Sequence, residues 1–224
     1  MPQTSQSHSV GTGTVSPTAE RPWLLIALGV IGLGGCAALI IGTLVAPYYV
    51  PNHDWVADTI SDLAAGEWEL IMDIALYGFA AGLMATALAA SHAHLGKSGW
   101  SIGVISFAIL AALVVIVGAR NEYGDNDNEG VVIHIYLVYG LGVLFALVSA
   151  VMQAGLRTAG HGHAGWWIIA LGIGWTVMAP VFLMSSTGID GLLERILGLF
   201  ACGMVVALSL VFLRRGWLCR AEDA

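Results

Sequence analysis

Charged residues are scarce in this sequence: Asp, Glu, Lys and Arg make up 10% of it, whereas hydrophobic residues make up 58%. Soluble domains carry about 25% charged residues, so a water-soluble domain is excluded. The three cysteines offer no disulfide framework, since two lie inside apolar runs. Only 8 residues are Lys or Arg and the net charge is −7, which argues against a nucleic-acid partner. The composition is that of an integral membrane protein.

Long apolar runs dominate the sequence instead. Each of six segments holds roughly 20 mostly apolar residues, the length that a helix needs to cross a bilayer. Their apolar residues do not alternate with polar ones, as the strands of a membrane β-barrel require. The sequence therefore predicts an all-α polytopic membrane protein, a six-transmembrane-helix bundle. The predicted spans are residues 22–49, 70–91, 99–119, 131–156, 166–184 and 192–213.

The basic residues predict the orientation of this bundle. By the positive-inside rule, the side that carries more Lys and Arg is cytoplasmic, which places both termini there. The cytoplasmic group is Arg21, Lys97, Arg157, Arg214, Arg215 and Arg220, and the outer group is Arg120 and Arg195. We expect a disordered cytoplasmic tail at residues 1–21, a six-helix transmembrane domain at 22–215 and a cytoplasmic tail at 216–224.

Polar residues near the outer ends of the spans are the candidate functional site. Ser61 and Asp62 precede the second span, and residues of these types also cap helices. His134 opens the fourth span, where a histidine is either an interfacial hydrogen-bonding residue or a functional group. Glu194 and Arg195 open the sixth span. These positions predict a cleft of mixed charge on the outer face.

Two of the charged residues require partners. Asp73 lies inside the second span, one helical turn after Glu69. A carboxylate at the bilayer centre costs about 2.5–3.5 kcal/mol. We therefore expect Asp73 to face the bundle, where Arg120 or Arg195 would pair with it. Arg195 starts a helix, and the helix dipole disfavours a cation at that end. Its expected partner is the carboxylate of Asp62 or Asp73.

One outer connection contains weak candidates for a metal site. Asp125, Asp127 and Glu129 alternate like the oxygen ligands in the first half of an EF-hand loop, but Tyr136 occupies the twelfth position, where that loop needs a glutamate. A Ca²⁺ site and a solvated acidic turn both remain open. We expect no other metal and no cofactor.

Three short motifs connect the chain to a known family. ADTISDLAAG precedes the second span, HIYLVYG opens the fourth, and TGIDGLLERI opens the sixth. Over about residues 22–215 the chain resembles the domain-of-unknown-function 998 family of six-helix prokaryotic membrane proteins. The resemblance implies an uncharacterised multi-pass protein of the inner (plasma) membrane. It does not imply a particular activity. Ser61, Asp62, His134 and the pair Glu194–Arg195 fall at motif positions, whereas Ala64 and Ala65 stand where a glycine is expected.

The favoured function is a binding module for a lipid headgroup, a small polar ligand or a partner subunit. Membrane lipids, another membrane protein or a second copy of the chain are the expected partners. The first alternative is a membrane-embedded lipid hydrolase that uses Ser61, His134 and Asp62. The second is a cation- or proton-coupled transporter that uses Asp73. The expected ligand-binding residues are Asp62, Asp73, His134, Glu194 and Arg195.

The predicted topology is testable by cysteine accessibility. In a variant that lacks Cys36, Cys202 and Cys219, a single cysteine at Asn126 should react with a membrane-impermeant thiol reagent added from outside, because residue 126 lies in an outer connection. A cysteine at Lys97 should react only after the membrane is opened. Reaction of the Asn126 position from the cytoplasmic side alone would contradict the topology.

Overall fold

The computed structural model describes residues 20–64, 67–119, 134–185 and 188–222. Of His134 it describes the backbone only. Arg120 and the metal candidates Asp125, Asp127 and Glu129 lie outside the described residues. The predictions made for these positions therefore remain predictions.

The described residues form α-helices and no strands, as predicted. Six helices are long and apolar enough to cross a membrane. The chain is therefore a multi-pass membrane protein with an all-α fold. The helices are α1 Pro22–Val45, extended by a 3₁₀ turn at Ala46–Tyr48, α2 Ile60–Leu63, α3 Glu69–Ala93, α4 Ser98–Ala119, α5 His134–Thr158, α6 Gly162–Met184 and α7 Asp190–Glu222.

The six long helices pack as a closed ring. Each helix contacts the next in the order α1, α3, α4, α5, α6, α7, and α7 returns to α1. Helix α3 also touches α7 across the ring. The short α2 lies in the connection between α1 and α3, where it contacts both α3 and α7. We call the end of the ring at which α2 lies the lid end. It is the end predicted to lie outside.

Helix α7 continues to Glu222, beyond the predicted end of the span at residue 213. Its last turns pack on the start of α1. Glu20 accepts hydrogen bonds from Arg215 Nε at 3.2 Å and Nη2 at 2.5 Å. The Arg220 guanidinium lies 4.5 Å from the centroid of the Trp23 ring, a cation–π arrangement. These tertiary contacts extend the helix into a polar stretch that the apolar pattern does not include.

A close contact between helix backbones joins α1 and α3. A Cβ atom added to Gly35 would lie 2.6 Å from the Gly78 carbonyl oxygen and 2.8 Å from the Gly82 Cα. The two backbones therefore touch, which is how small residues allow helices to associate in lipid. Gly78 and Gly82 on α3 therefore serve the close approach of Gly35.

Gly35→Ala should destabilise the protein, because the backbone atoms of α3 that the methyl group would meet cannot move independently. We expect a loss of about 1–3 kcal/mol in the free energy of unfolding. Gly34→Ala is the matched control, since an added Cβ there meets nothing within 4 Å and alanine has the higher helix propensity. Thermal unfolding in detergent would measure both, and equal midpoints for the two variants would contradict the contact.

Candidate functional site

The lid is the segment 53–64 that precedes α3 and contains α2. It folds largely through its own side chains. The Asp54 carboxylate accepts hydrogen bonds from the N–H groups of Val56 at 2.9 Å and Ala57 at 3.3 Å. These two bonds lower the pKa of Asp54 below its ordinary value. The Asp58 carboxylate in turn accepts the Asp54 N–H at 2.7 Å, which closes a compact turn.

A capping box starts α2. Thr59 Oγ1 accepts the Asp62 N–H at 3.1 Å, and Asp62 Oδ2 accepts the Thr59 N–H at 2.7 Å. This reciprocal pair satisfies N–H groups that a helix start leaves without partners. The expectation that Asp62 caps a helix agrees with these bonds, and Asp62 Oδ2 also accepts the Thr59 hydroxyl at 2.8 Å.

The lid is bonded to the first turn of α7. The Gly191 N–H donates to the Ala57 carbonyl at 3.1 Å, and the Leu192 N–H donates to the Val56 carbonyl at 3.0 Å. The first N–H groups of a helix have no partner within it, so the lid supplies their acceptors. A Cβ atom on Gly191 would lie 2.0 Å from the Asp58 carbonyl oxygen, so only glycine permits this approach.

Glu194 makes the reverse connection, from α7 to the lid. Its Oε2 accepts the Ile60 N–H at 2.5 Å, and the Ser61 N–H also bonds to this carboxylate. Both N–H groups belong to the first turn of α2. Helix α2 is therefore capped twice, by Asp62 within the lid and by Glu194 from α7.

Arg195 is buried beneath the lid, with 6% of its surface exposed. Its Nη1 donates to the Asp58 carbonyl oxygen at 2.8 Å, and its Nη2 donates to His53 Nε2 at 3.1 Å. The guanidinium also lies 4.4 Å from the centroid of the Trp55 ring. A partner from another segment was expected, and the lid provides it.

The expected identity of that partner was wrong, because neither Asp62 nor Asp73 supplies the acceptor. The hydrogen bonds of Arg195 go to a main-chain carbonyl and an imidazole, which can reach a buried guanidinium without burying a second charge. Sequence reasoning missed His53 in this role. Its position in the connection between α1 and α3, which also contains Trp55 and Trp68, was the available signal, but nothing in its spacing relates it to α7.

A cavity of about 490 Å³ lies inside the ring under the lid. Ligand sites commonly have about 300–1,000 Å³. Its deep walls are apolar and come from the long helices. Trp175 packs on Phe145 with a ring separation of 4.6 Å, and its Nε1 donates to the Gly142 carbonyl at 2.9 Å, so the indole presents only its apolar surface. Further walls come from Leu39, Leu76, Phe79, Val114 and Phe182.

The end of the cavity beneath the lid is polar and acidic. The hydroxyl of Ser185 donates to the Asp190 carboxylate there. Among the described residues that line the cavity there is no Lys or Arg. The side chains at this end are therefore mainly hydrogen-bond acceptors. The polar lining residues are Asp58, Thr59, Ser61, Asp62, Ser185, Asp190 and Glu194.

The sequence-predicted site residues divide into two groups. Ser61, Asp62 and Glu194 line the cavity. Arg195 points into the lid, and Asp73 lies on α3 outside the cavity lining. Asp73 Oδ1 is buried and has no hydrogen-bond partner within the described part of the chain. The predicted cleft of mixed charge is therefore, in its described lining, an acidic one.

The predicted catalytic group, Ser61 with Asp62 and His134, remains a prediction. Asp62 bonds to Thr59, and the side chain of His134 lies outside the described residues, although the next residue on α5, Ile135, lines the cavity. Within the described ranges no group of three or more His, Cys, Asp or Glu is placed to hold a metal ion.

Comparison with known proteins gives a family. Residues 30–211 match the family described as "Protein of unknown function (DUF998)". Neither a curated protein nor a solved structure matches the chain. The match covers most of the sequence, including the lid and the first turns of α5 and α7, where the three motifs lie. The chain therefore belongs to the DUF998 family of proteins of unknown function.

Proposed function

We propose that this protein binds an amphipathic, lipid-like ligand in the cavity under the lid. The apolar part of the ligand occupies the space between the helices, and the polar head lies beneath α2. The single observation that carries this proposal is the division of one cavity into an apolar deep part and an acidic end at the lid. A lipid has the same division along its length.

The apolar part of the cavity lies within the membrane-spanning helices. Its walls include Phe79, Phe145, Trp175 and Phe182, and the indole N–H of Trp175 is already bonded to a carbonyl oxygen. A hydrocarbon chain therefore meets no unpaired donor from this indole. A small polar solute would find few hydrogen-bond partners between these walls, so they favour a hydrocarbon chain.

The acidic end selects the polar head. Asp58, Asp190 and Glu194 line it, and each carboxylate has about four acceptor positions, more than its protein contacts use. A head that donates hydrogen bonds, through an ammonium or hydroxyl groups, is complementary to these oxygens. A head with only anionic oxygens would be repelled. Of a zwitterionic head, the ammonium is the part that this site fits.

Filling the cavity should remove the bound lipid. Gly198 lines the cavity, and a Cβ atom added there meets only the Ile60 Cδ1 at 3.9 Å, so Gly198→Phe can extend into the empty space. Native mass spectrometry of protein purified in mild detergent should show a specific lipid on the wild type and little or none on this variant. Gly34→Phe is the control of equal size, because position 34 is exposed on the outside of α1.

Equal lipid retention by the wild type, Gly198→Phe and Gly34→Phe would remove the cavity as the binding site. The same preparations also test the hydrolase alternative. Release of a fatty acid or a headgroup by the wild type, and not by Ser61→Ala, would favour the hydrolase alternative over the binding proposal.

The acidic end predicts a preference among lipid heads. The wild type should retain phosphatidylethanolamine more strongly than phosphatidic acid with the same chains, since one charge-assisted hydrogen bond contributes about 1.5–3 kcal/mol, roughly ten- to a hundredfold in Kd. Asp190→Asn should reduce this preference. Asp54→Asn, in an exposed turn outside the cavity lining, should leave it unchanged. Equal retention of both lipids by the wild type would contradict the proposed head chemistry.

A further inference from the structure

We infer that His53 controls access to the cavity: protonation of its imidazole detaches the lid from α7. The inference rests on the proposed function of the cavity and adds its regulation. It follows from the position of one imidazole between the lid and the buried guanidinium of Arg195.

The contacts of His53 determine its protonation state when the lid is closed. Arg195 Nη2 lies 3.1 Å from His53 Nε2, and a guanidinium has donors only, so Nε2 must be the acceptor. The imidazole is then neutral and carries its proton on Nδ1. That nitrogen lies 3.4 Å from Asp58 Oδ2. The closed lid therefore holds His53 as the neutral Nδ1–H tautomer.

Protonation of Nε2 would set two N–H groups against each other at this contact. It would also place a second positive charge beside Arg195. The His53 side chain is 2% exposed, so water cannot separate the two charges. The imidazolium and the guanidinium could not both keep their positions.

The charged groups around His53 act in opposite directions. From α7, Arg195 disfavours the imidazolium, and burial disfavours it more. From the lid, Asp58, Asp62 and Asp54 favour it. The net effect is that burial and the Arg195 charge lower the pKa of His53 below its ordinary value. Proton binding is therefore weaker with the lid closed than with the lid open and the imidazole in water.

Displacement of the Arg195 guanidinium would affect the whole lid. The same guanidinium contacts His53, the Asp58 carbonyl and the Trp55 ring, so displacing it removes three contacts at once. The contacts that remain are main-chain bonds to Gly191 and Leu192, together with the Glu194 carboxylate. The lid lines the acidic end of the cavity, so its release exposes that end.

The direction of the pH dependence follows from linkage. Above about pH 6.5, the ordinary pKa of an imidazole, His53 is neutral in both states and its contribution to closure is complete. As the pH falls below this value towards the lowered pKa of the closed state, the open state binds a proton that the closed state does not, and closure weakens. Each unit of pKa difference between the two states changes the opening equilibrium about tenfold.

Lid position can be measured without reference to any ligand. Spin labels at Val56 on the lid and Leu210 on α7, in a variant lacking the three native cysteines, would report their separation by pulsed electron double resonance at pH 7.5 and pH 5. We expect a second distance population in the wild-type background at pH 5 alone. His53→Gln, which is neutral and accepts a hydrogen bond from Arg195, should show one population at both pH values. His53→Lys, which is permanently charged, should show the second population at pH 7.5.

Lipid retention gives the second readout. The wild type should lose bound phosphatidylethanolamine at pH 5 as the opened fraction grows, whereas His53→Gln should retain it. A disulfide between cysteines at Val56 and Leu192, which already share a main-chain hydrogen bond of 3.0 Å, should prevent the loss until it is reduced.

The two hypotheses fail differently. The same distance populations in the wild type and both His53 variants at both pH values would overturn the inference, whatever the lipid does. The lid could respond to pH through His53 in a protein that binds no lipid. That result would support the role of His53 in lid opening and contradict lipid binding as the function of the cavity.

Discussion

The burial of the Arg195 guanidinium is the constraint on which the lid end of the molecule depends. A cation at a helix N-terminus meets an unfavourable dipole, and a buried guanidinium without acceptors costs several kcal/mol. The lid supplies a carbonyl oxygen, an imidazole nitrogen and an aromatic face to this one group. The adjacent Glu194 accepts the N–H groups that start α2. Two neighbouring side chains of α7 therefore fix the lid, one as donor and the other as acceptor.

The ring of helices is packed unequally around this lid. On one side the backbones of α1 and α3 touch at Gly35 and Gly82, which leaves no space between them. On the other side, Gly142 and Gly198 border the cavity, and added Cβ atoms there would meet nothing within 3.8 Å. Small residues thus have opposite consequences in the same bundle. Close contact on the α1–α3 side gives the ring a rigid wall, and the open space beneath the lid is what the proposed function uses.

Much of the architecture could be predicted from local patterns. Each membrane span is a continuous apolar run, so its existence and approximate ends follow from composition within a single window. The cap formed by Asp62 is equally local, since its partner Thr59 is three residues away. Even the need of Arg195 for a partner follows from its place at a helix start. Helix α7 extends beyond the predicted span because its last turns are held by Glu20 and Trp23, which belong to the other end of the chain.

The sequence by itself thus determined the membrane class, the six spans, the capping of α2 and the requirement that Arg195 be satisfied by another segment. Only the tertiary structure decided that His53, 142 positions away, accepts from Arg195, that Glu194 bonds to the lid, and that Asp73 lies apart from both. It also decided that the acids gather at one end of an apolar cavity. The physical reason is that helix periodicity fixes which residues share a face, whereas contacts between segments depend on how the helices are arranged around the ring.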